Sequence, residues 1–199
     1  MNENPYLTLA KYMYAYSPPF STTTPPNLPI RILCLSDTHD EQPRNLPPAD
    51  ILIHAGDLTV NGSLEELKRQ VEWIKGLEGY KEKVVVGGNH DVCLDEEYRY
   101  KKVQENKNNN NDDTTTSQRP LGKRRVDLDW GDITYLNHST TTLTIHGRTL
   151  HIYGSPLTPR YGNWAFQYLP SNTNPWTVIP QTTDVLVTHG PAKGVRFGA

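Results

Sequence analysis

Cysteine is scarce in this 199-residue sequence: the two present, Cys34 and Cys93, lie in an apolar run and just after a cluster of metal-type residues. That is no disulfide framework, so a reducing compartment and a cytoplasmic location are expected. Long hydrophobic runs are missing too, and no apolar stretch approaches the roughly 20 residues needed to span a bilayer. A soluble protein with no membrane partner is the expectation. Charge of one sign is also lacking, with 20 Lys and Arg against 22 Asp and Glu and a formal net charge of −2. No basic field draws in a nucleic-acid backbone, which argues against long nucleic acid as a partner; any phosphate-bearing substrate must be held locally. The N-terminus lacks the basic start and apolar stretch of a signal peptide. Residues 1–28 read as a flexible Tyr/Pro/Thr-rich leader, and 29–199 as one domain of a size that buries a core without staples.

Four short apolar runs are present: Ile30 to Leu35, Ile51 to His54, Val84 to Val86, and Asp184 to Val187. Continuous β-branched runs bounded by Gly and Asp read as buried, central strands of a sheet covered on both faces. Between the second and third, Leu64, Leu67, Val71 and Ile74 recur at helical spacing, and Ser63 with Glu66 makes a capping box. The result is a strand-helix-strand crossover between parallel strands. From Gln104 to Pro120 the Asn/Asp/Thr-rich sequence has no hydrophobic period and reads as a disordered insertion. Beyond it, segments around Ile133, Leu143 and Leu150 alternate with a two-residue period, the last two joined at His146-Gly147; they read as a second, antiparallel group.

Each of the four buried runs ends in polar residues: Ser36-Asp37-Thr38-His39-Asp40, Ala55-Gly56-Asp57-Leu58, Gly87-Gly88-Asn89-His90-Asp91, and Thr188-His189-Gly190-Pro191. In open α/β sheets, loops after strand C-termini converge on one crevice. Carboxylate, imidazole and amide oxygen there make a ligand set for divalent Mn, Fe or Zn, and the absence of Cys from these loops argues against structural zinc. Asp37 and His39, two apart, could share an ion if their loop is extended, and Asp57 is the natural bridging carboxylate. A single Asp, Asn or His after a strand is more often a cap or turn residue; five such positions after four strands favour metal.

These motifs, in this order and each after a buried strand, resemble the calcineurin-like metallophosphoesterases. LSDTHD, LIHAGDLT, VVVGGNHD, IYGSP and VTHGP are similar to the metallophosphoesterase-domain-containing subgroup, over roughly residues 30 to 194. The resemblance implies a four-layer α-β-β-α sandwich and hydrolysis of a small phosphomonoester or phosphodiester, nucleotide-like in size, at a site of two divalent metal ions. It implies that Asp37 and His39 hold one metal, Asp57 bridges, Asn89 and His189 hold the other, His90 is the catalytic proton donor and Asp91 orients it. Family members carry a further loop of the Gly-His-x-His type. It has no counterpart before Ala199, so the domain is expected to be incomplete at the C-terminus. Beside the enzyme stands a second reading, a catalytically impaired remnant that binds nucleotide or a partner protein.

Other residues carry less. His54, inside a strand, reads as a core or supporting histidine; His138, His146 and His151 as ordinary strand residues; Asp40 as a loop stabiliser. In the segment from Tyr153 to Phe166, the family comparison lets Arg160 contact phosphate and Tyr161 or Trp164 stack on a base; packing of the aromatics on the sheet is an equal reading.

Overall fold

The computed structural model describes residues 28–108, 128–169 and 174–190. Four strands, β1 (Ile32–Leu35), β2 (Ile51–Ala55), β3 (Glu82–Val86) and β4 (Ile133–Leu136), lie side by side in that order, all parallel. A hairpin of β5 (Ser139–Ile145) and β6 (Arg148–Ser155) follows, then the two-residue pair β7 (Thr158–Pro159) and β8 (Gln167–Tyr168). Finally β9 (Val185–Thr188) joins β6 in parallel, giving a second sheet of order β5-β6-β9. The hairpin turn uses positive φ at both His146 (50°) and Gly147 (73°), the handedness that matches strand twist in a two-residue turn.

β2 from Ile51 to His54 and β3 from Lys83 to Val86 are buried throughout, because both their faces are covered. Ile51, Ile53, Val84 and Val86 point into a core shared with Leu143, Ile145, Ile152 and Val187 of the second sheet. Leu52 and Val85 point the other way, against Leu67, Val71 and Ile74 of helix α1 (Leu64–Gly76). The capping box forms as expected: the Glu66 backbone N–H donates to the Ser63 hydroxyl, and the Glu66 carboxylate accepts from the Ser63 N–H at 2.9 Å. Helix, parallel sheet and second sheet are thus stacked in an α/β architecture, and Gly154 of β6 sits where a Cβ would meet Leu136 and Val86.

Four expectations change. β1 lies at the edge of its sheet among the described residues and is only partly buried; an unbroken apolar run did not require burial on both faces. β4 belongs to the parallel sheet and β9 to the second one, because the alternation in β4 is that of an outer parallel strand with a half-exposed middle. Helix α2 (Glu96–Asn108) has no apolar period. It is started by Asp95, whose carboxylate accepts from the Tyr98 N–H at 3.0 Å, and is supported by the Glu97–Lys101 pair at 2.6 Å. It runs through residues 104–108, read above as the start of an insertion; the rest of that stretch, and the leader, lie outside the described residues.

Candidate metal centre

The β1–β2 ladder does not stop where the strands do. Asp37 N–H donates to the Gly56 carbonyl at 2.9 Å, His39 N–H to that of Asp57 at 3.0 Å, and Asp40 N–H to that of Leu58 at 2.8 Å, so the first loop is zipped onto the second. Asp40 then anchors to α1 through Arg69 (2.5 Å) and Gln70 (3.2 Å). The loop is not extended: Asp37, His39 and Asp57 all have left-handed backbones, with φ of 54°, 45° and 55°. Such conformations are uncommon outside glycine and concentrate where a side chain must be aimed. Here they bring one ligand atom each of Asp37, His39 and Asp57 within 4.8 Å of one another, a group that could hold a metal ion.

Asp57 is the hub. Its Oδ2 lies 3.7 Å from His39 Nε2, and its Oδ1 lies 3.4 Å from His189 Nε2 while accepting from the His90 backbone N–H at 2.8 Å. Asn89 Oδ1 is 3.0 Å from the same His189 Nε2. The carboxylate is 4% exposed and close-fitted: a Cβ on Gly88 would run into the Asp57 backbone and carboxylate, and one on Gly56 would come within 2.5 Å of His189 Nδ1.

Three imidazoles are held in one way. Nδ1 of His39 faces the Thr59 carbonyl (3.1 Å), that of His189 the Ala55 carbonyl (2.9 Å), and that of His90 the Val60 carbonyl (2.7 Å). A carbonyl only accepts, so each Nδ1 carries a proton, and in the neutral form of the ring the lone pair is at Nε2. For His39 and His189 that lone pair is directed at the Asp57 carboxylate, also acceptor-only. Converging lone pairs repel unless a cation lies between them, and carbonyl-pinned imidazoles are the usual support for a metal. The donor set therefore fits divalent metal.

His90 packs edge-on against His39, with centroids 4.9 Å apart, and is stacked on Trp164 at 4.3 Å and 28°. Asp91, expected to orient His90, is fully buried, and its carboxylate accepts from the N–H groups of Leu58 (3.2 Å), Thr59 (2.9 Å) and Gly88 (2.8 Å) and from the Thr59 hydroxyl (2.7 Å). Burial raises its pKa above the usual carboxylate range, against the pull of those four donors. Asp91 ties the second loop to the third, and Val60 fixes His90. Asp91→Asn would set an amide N–H₂ against backbone donors, at about 1–3 kcal/mol. We expect it to melt lower by roughly 3–10 °C while binding metal as before, checked by calorimetry and elemental analysis. Reduced turnover with unchanged melting would support a direct role on His90.

His54 is fully buried, bonds Thr38 Oγ1 through Nε2 at 2.9 Å, and has its pKa lowered to about 4, chiefly by burial; it is a neutral core histidine. What sequence reasoning missed are the backbone carbonyls of Ala55, Thr59 and Val60, which have no side-chain signature.

A family model described as calcineurin-like phosphoesterase matches residues 30–198. The chain belongs to the calcineurin-like phosphoesterase family. Metallophosphoesterase domain-containing protein 1 of Homo sapiens is 33% identical over 180 residues, which are 88% of this chain and 52% of that protein. A UPF0046 protein of Caenorhabditis elegans is 35% identical over 177 residues, 85% of this chain and 54% of its own. A protein of Emericella nidulans named probable rhamnogalacturonate lyase C is 40% identical over 192 residues, 96% of this chain but 16% of that one. The chain spans about half the length of the first two of these relatives and far less of the third. Residues 191–199, where the further ligand loop is expected to be missing, lie outside the described residues.

Proposed function

We propose that this phosphoesterase chain hydrolyses a small phosphomonoester or phosphodiester, nucleotide-like in size, at two divalent ions held on either side of Asp57. The observation that carries this is the pair of Nε2 lone pairs, from His39 and His189, facing opposite oxygens of one buried carboxylate. Asp37, His39 and Asp57 would hold one ion, and Asp57, Asn89 and His189 the other, with Mn, Fe or Zn suited to these donors. Two such ions would supply charge stabilisation to the attacking and leaving oxygens of an in-line displacement.

The chain's own groups do the rest. In its imidazolium form His90 gives the leaving oxygen a proton from Nε2, because Nδ1–H is committed to the Val60 carbonyl. Its backbone N–H on Asp57 fixes the distance between proton donor and carboxylate. Charge balance favours a small substrate over long nucleic acid, and no helix among the described residues is long and apolar enough to cross a membrane. Two unpaired cysteines, Cys93 buried, suit a reducing cytoplasm.

The test is hydrolysis of p-nitrophenyl phosphate and bis(p-nitrophenyl) phosphate by the 199-residue chain with added Mn²⁺, Fe²⁺ or Zn²⁺. Turnover should vanish in EDTA and return with ion. Ion binding without turnover of either ester would leave the metal centre standing and remove the hydrolase.

A further inference from the structure

Trp164 borders two spaces. Its indole stacks on His90, and the same residue, 41% exposed, lines a groove of about 1170 Å³ between the start of α2 and the β7–β8 segment. None of the residues assigned above to the ions lines this groove. Its walls are rich in rings, including Tyr98, Tyr168 and the pair Trp130 and Tyr135, which stack on each other at 4.6 Å and 4°. Aromatic faces of this kind accept any flat π-system.

The cations of the groove are not equivalent. Lys101 is paired with Glu97 at 2.6 Å and Lys102 with Glu105 at 3.2 Å. Arg160, exposed on the β7–β8 side of the groove, has no ion-pair partner among the described residues. A free guanidinium beside aromatic walls matches a planar group carrying an anion, since its fork of N–H donors fits phosphate or carboxylate.

We infer that this groove binds an aromatic group with an anionic substituent, and that in catalysis it receives the half of the substrate that departs. The second part rests on the phosphoester hydrolase reading. In that reaction one water is added across the P–O bond: the phosphoryl group keeps the water oxygen, and the departing oxygen takes a proton from His90 Nε2. The departing group is therefore on the His90 side of the phosphorus, and Trp164, stacked on His90, also lines the groove.

The probe is adenosine 5′-monophosphate, titrated into the full chain in EDTA by calorimetry, so that no ion site contributes. AMP should bind; Arg160→Ala should weaken it at least tenfold, and Arg160→Lys should recover part of the loss. Adenosine, lacking the anion, should bind more weakly and be indifferent to Arg160→Ala, and ribose 5-phosphate, lacking the ring, should also bind more weakly. Asp57→Asn should change AMP binding less than twofold. Absence of binding in EDTA, indifference to Arg160→Ala, or loss in Asp57→Asn would each overturn the groove; the last would place the nucleotide at the metal centre and leave the hydrolase reading intact. AMP binding that follows Arg160 in a chain that hydrolyses no ester would keep the groove as a binding site and remove the hydrolase.

Discussion

Asp57→Ala should lose metal at both positions at once, whereas Asn89→Ala should weaken mainly one. Among the described residues Asp57 is the side chain that faces both histidines, with Oδ2 toward His39 and Oδ1 toward His189. Asn89 touches only the His189 side. Removing hydrogen-bond supports of metal ligands costs typically 10–100-fold in affinity or activity, so loss of a ligand shared by both ions should cost at least about 100-fold in turnover. Asp57 also accepts the His90 N–H, and its left-handed backbone sits tightly against Gly88, so the alanine could disturb the loops. Asp57→Asn keeps size and an acceptor oxygen while removing the charge, and should show the same metal loss with nearly unchanged melting in EDTA. The measurement is ions per chain by elemental analysis after equilibration with Mn²⁺. Unchanged metal content in both variants would remove the basis of the assignment, and retention of one ion would make Asp57 a ligand of one site rather than a bridge.

How far this could be read from residues alone depended on where the determining group sits. β2 and β3 were legible because burial on both faces leaves an unbroken apolar run, and α1 because its cap is made by side chains, Ser63 and Glu66. The partners of β4 and β9 were not, since a half-exposed outer strand of a parallel sheet and a strand of an antiparallel hairpin both alternate with period two. α2 was hidden because its support comes from Asp95 and charge pairs in place of an apolar stripe. At the candidate metal centre, Asp37, His39, Asn89 and His189 lie around Asp57. What orients them was invisible: left-handed backbones at three non-glycine positions, and carbonyls of Ala55, Thr59 and Val60 that any residue could supply. The hydrogen bonds of Asp91 were not legible either: though adjacent to His90 in sequence, it turns to Leu58, Thr59 and Gly88 while His90 turns to Val60.

His90→Ala is expected to lower turnover by roughly 10²–10⁴-fold, the range for losing a general acid or base, while leaving metal content intact. The separation is built into the local structure. What His90 gives to Asp57 is its backbone N–H, which alanine retains, and what it gives to the reaction is its ring, which alanine lacks. The ring is placed on three sides: Nδ1 on the Val60 carbonyl, an edge against His39, and a face on Trp164. That leaves Nε2 as the atom able to hand over a proton. Such a proton matters in proportion to the basicity of the departing oxygen. A p-nitrophenolate departs with little help and an alkoxide does not, so the loss in His90→Ala should be small for bis(p-nitrophenyl) phosphate and large for an alkyl ester. His90→Gln, which preserves polarity but cannot carry the proton, should behave like the alanine. The readout is the slope of log kcat against leaving-group pKa, steeper in both variants than in the parent chain. Equal losses on good and poor leaving groups, with a parallel rise in KM, would mean that His90 positions the substrate instead, and that the proton comes from elsewhere.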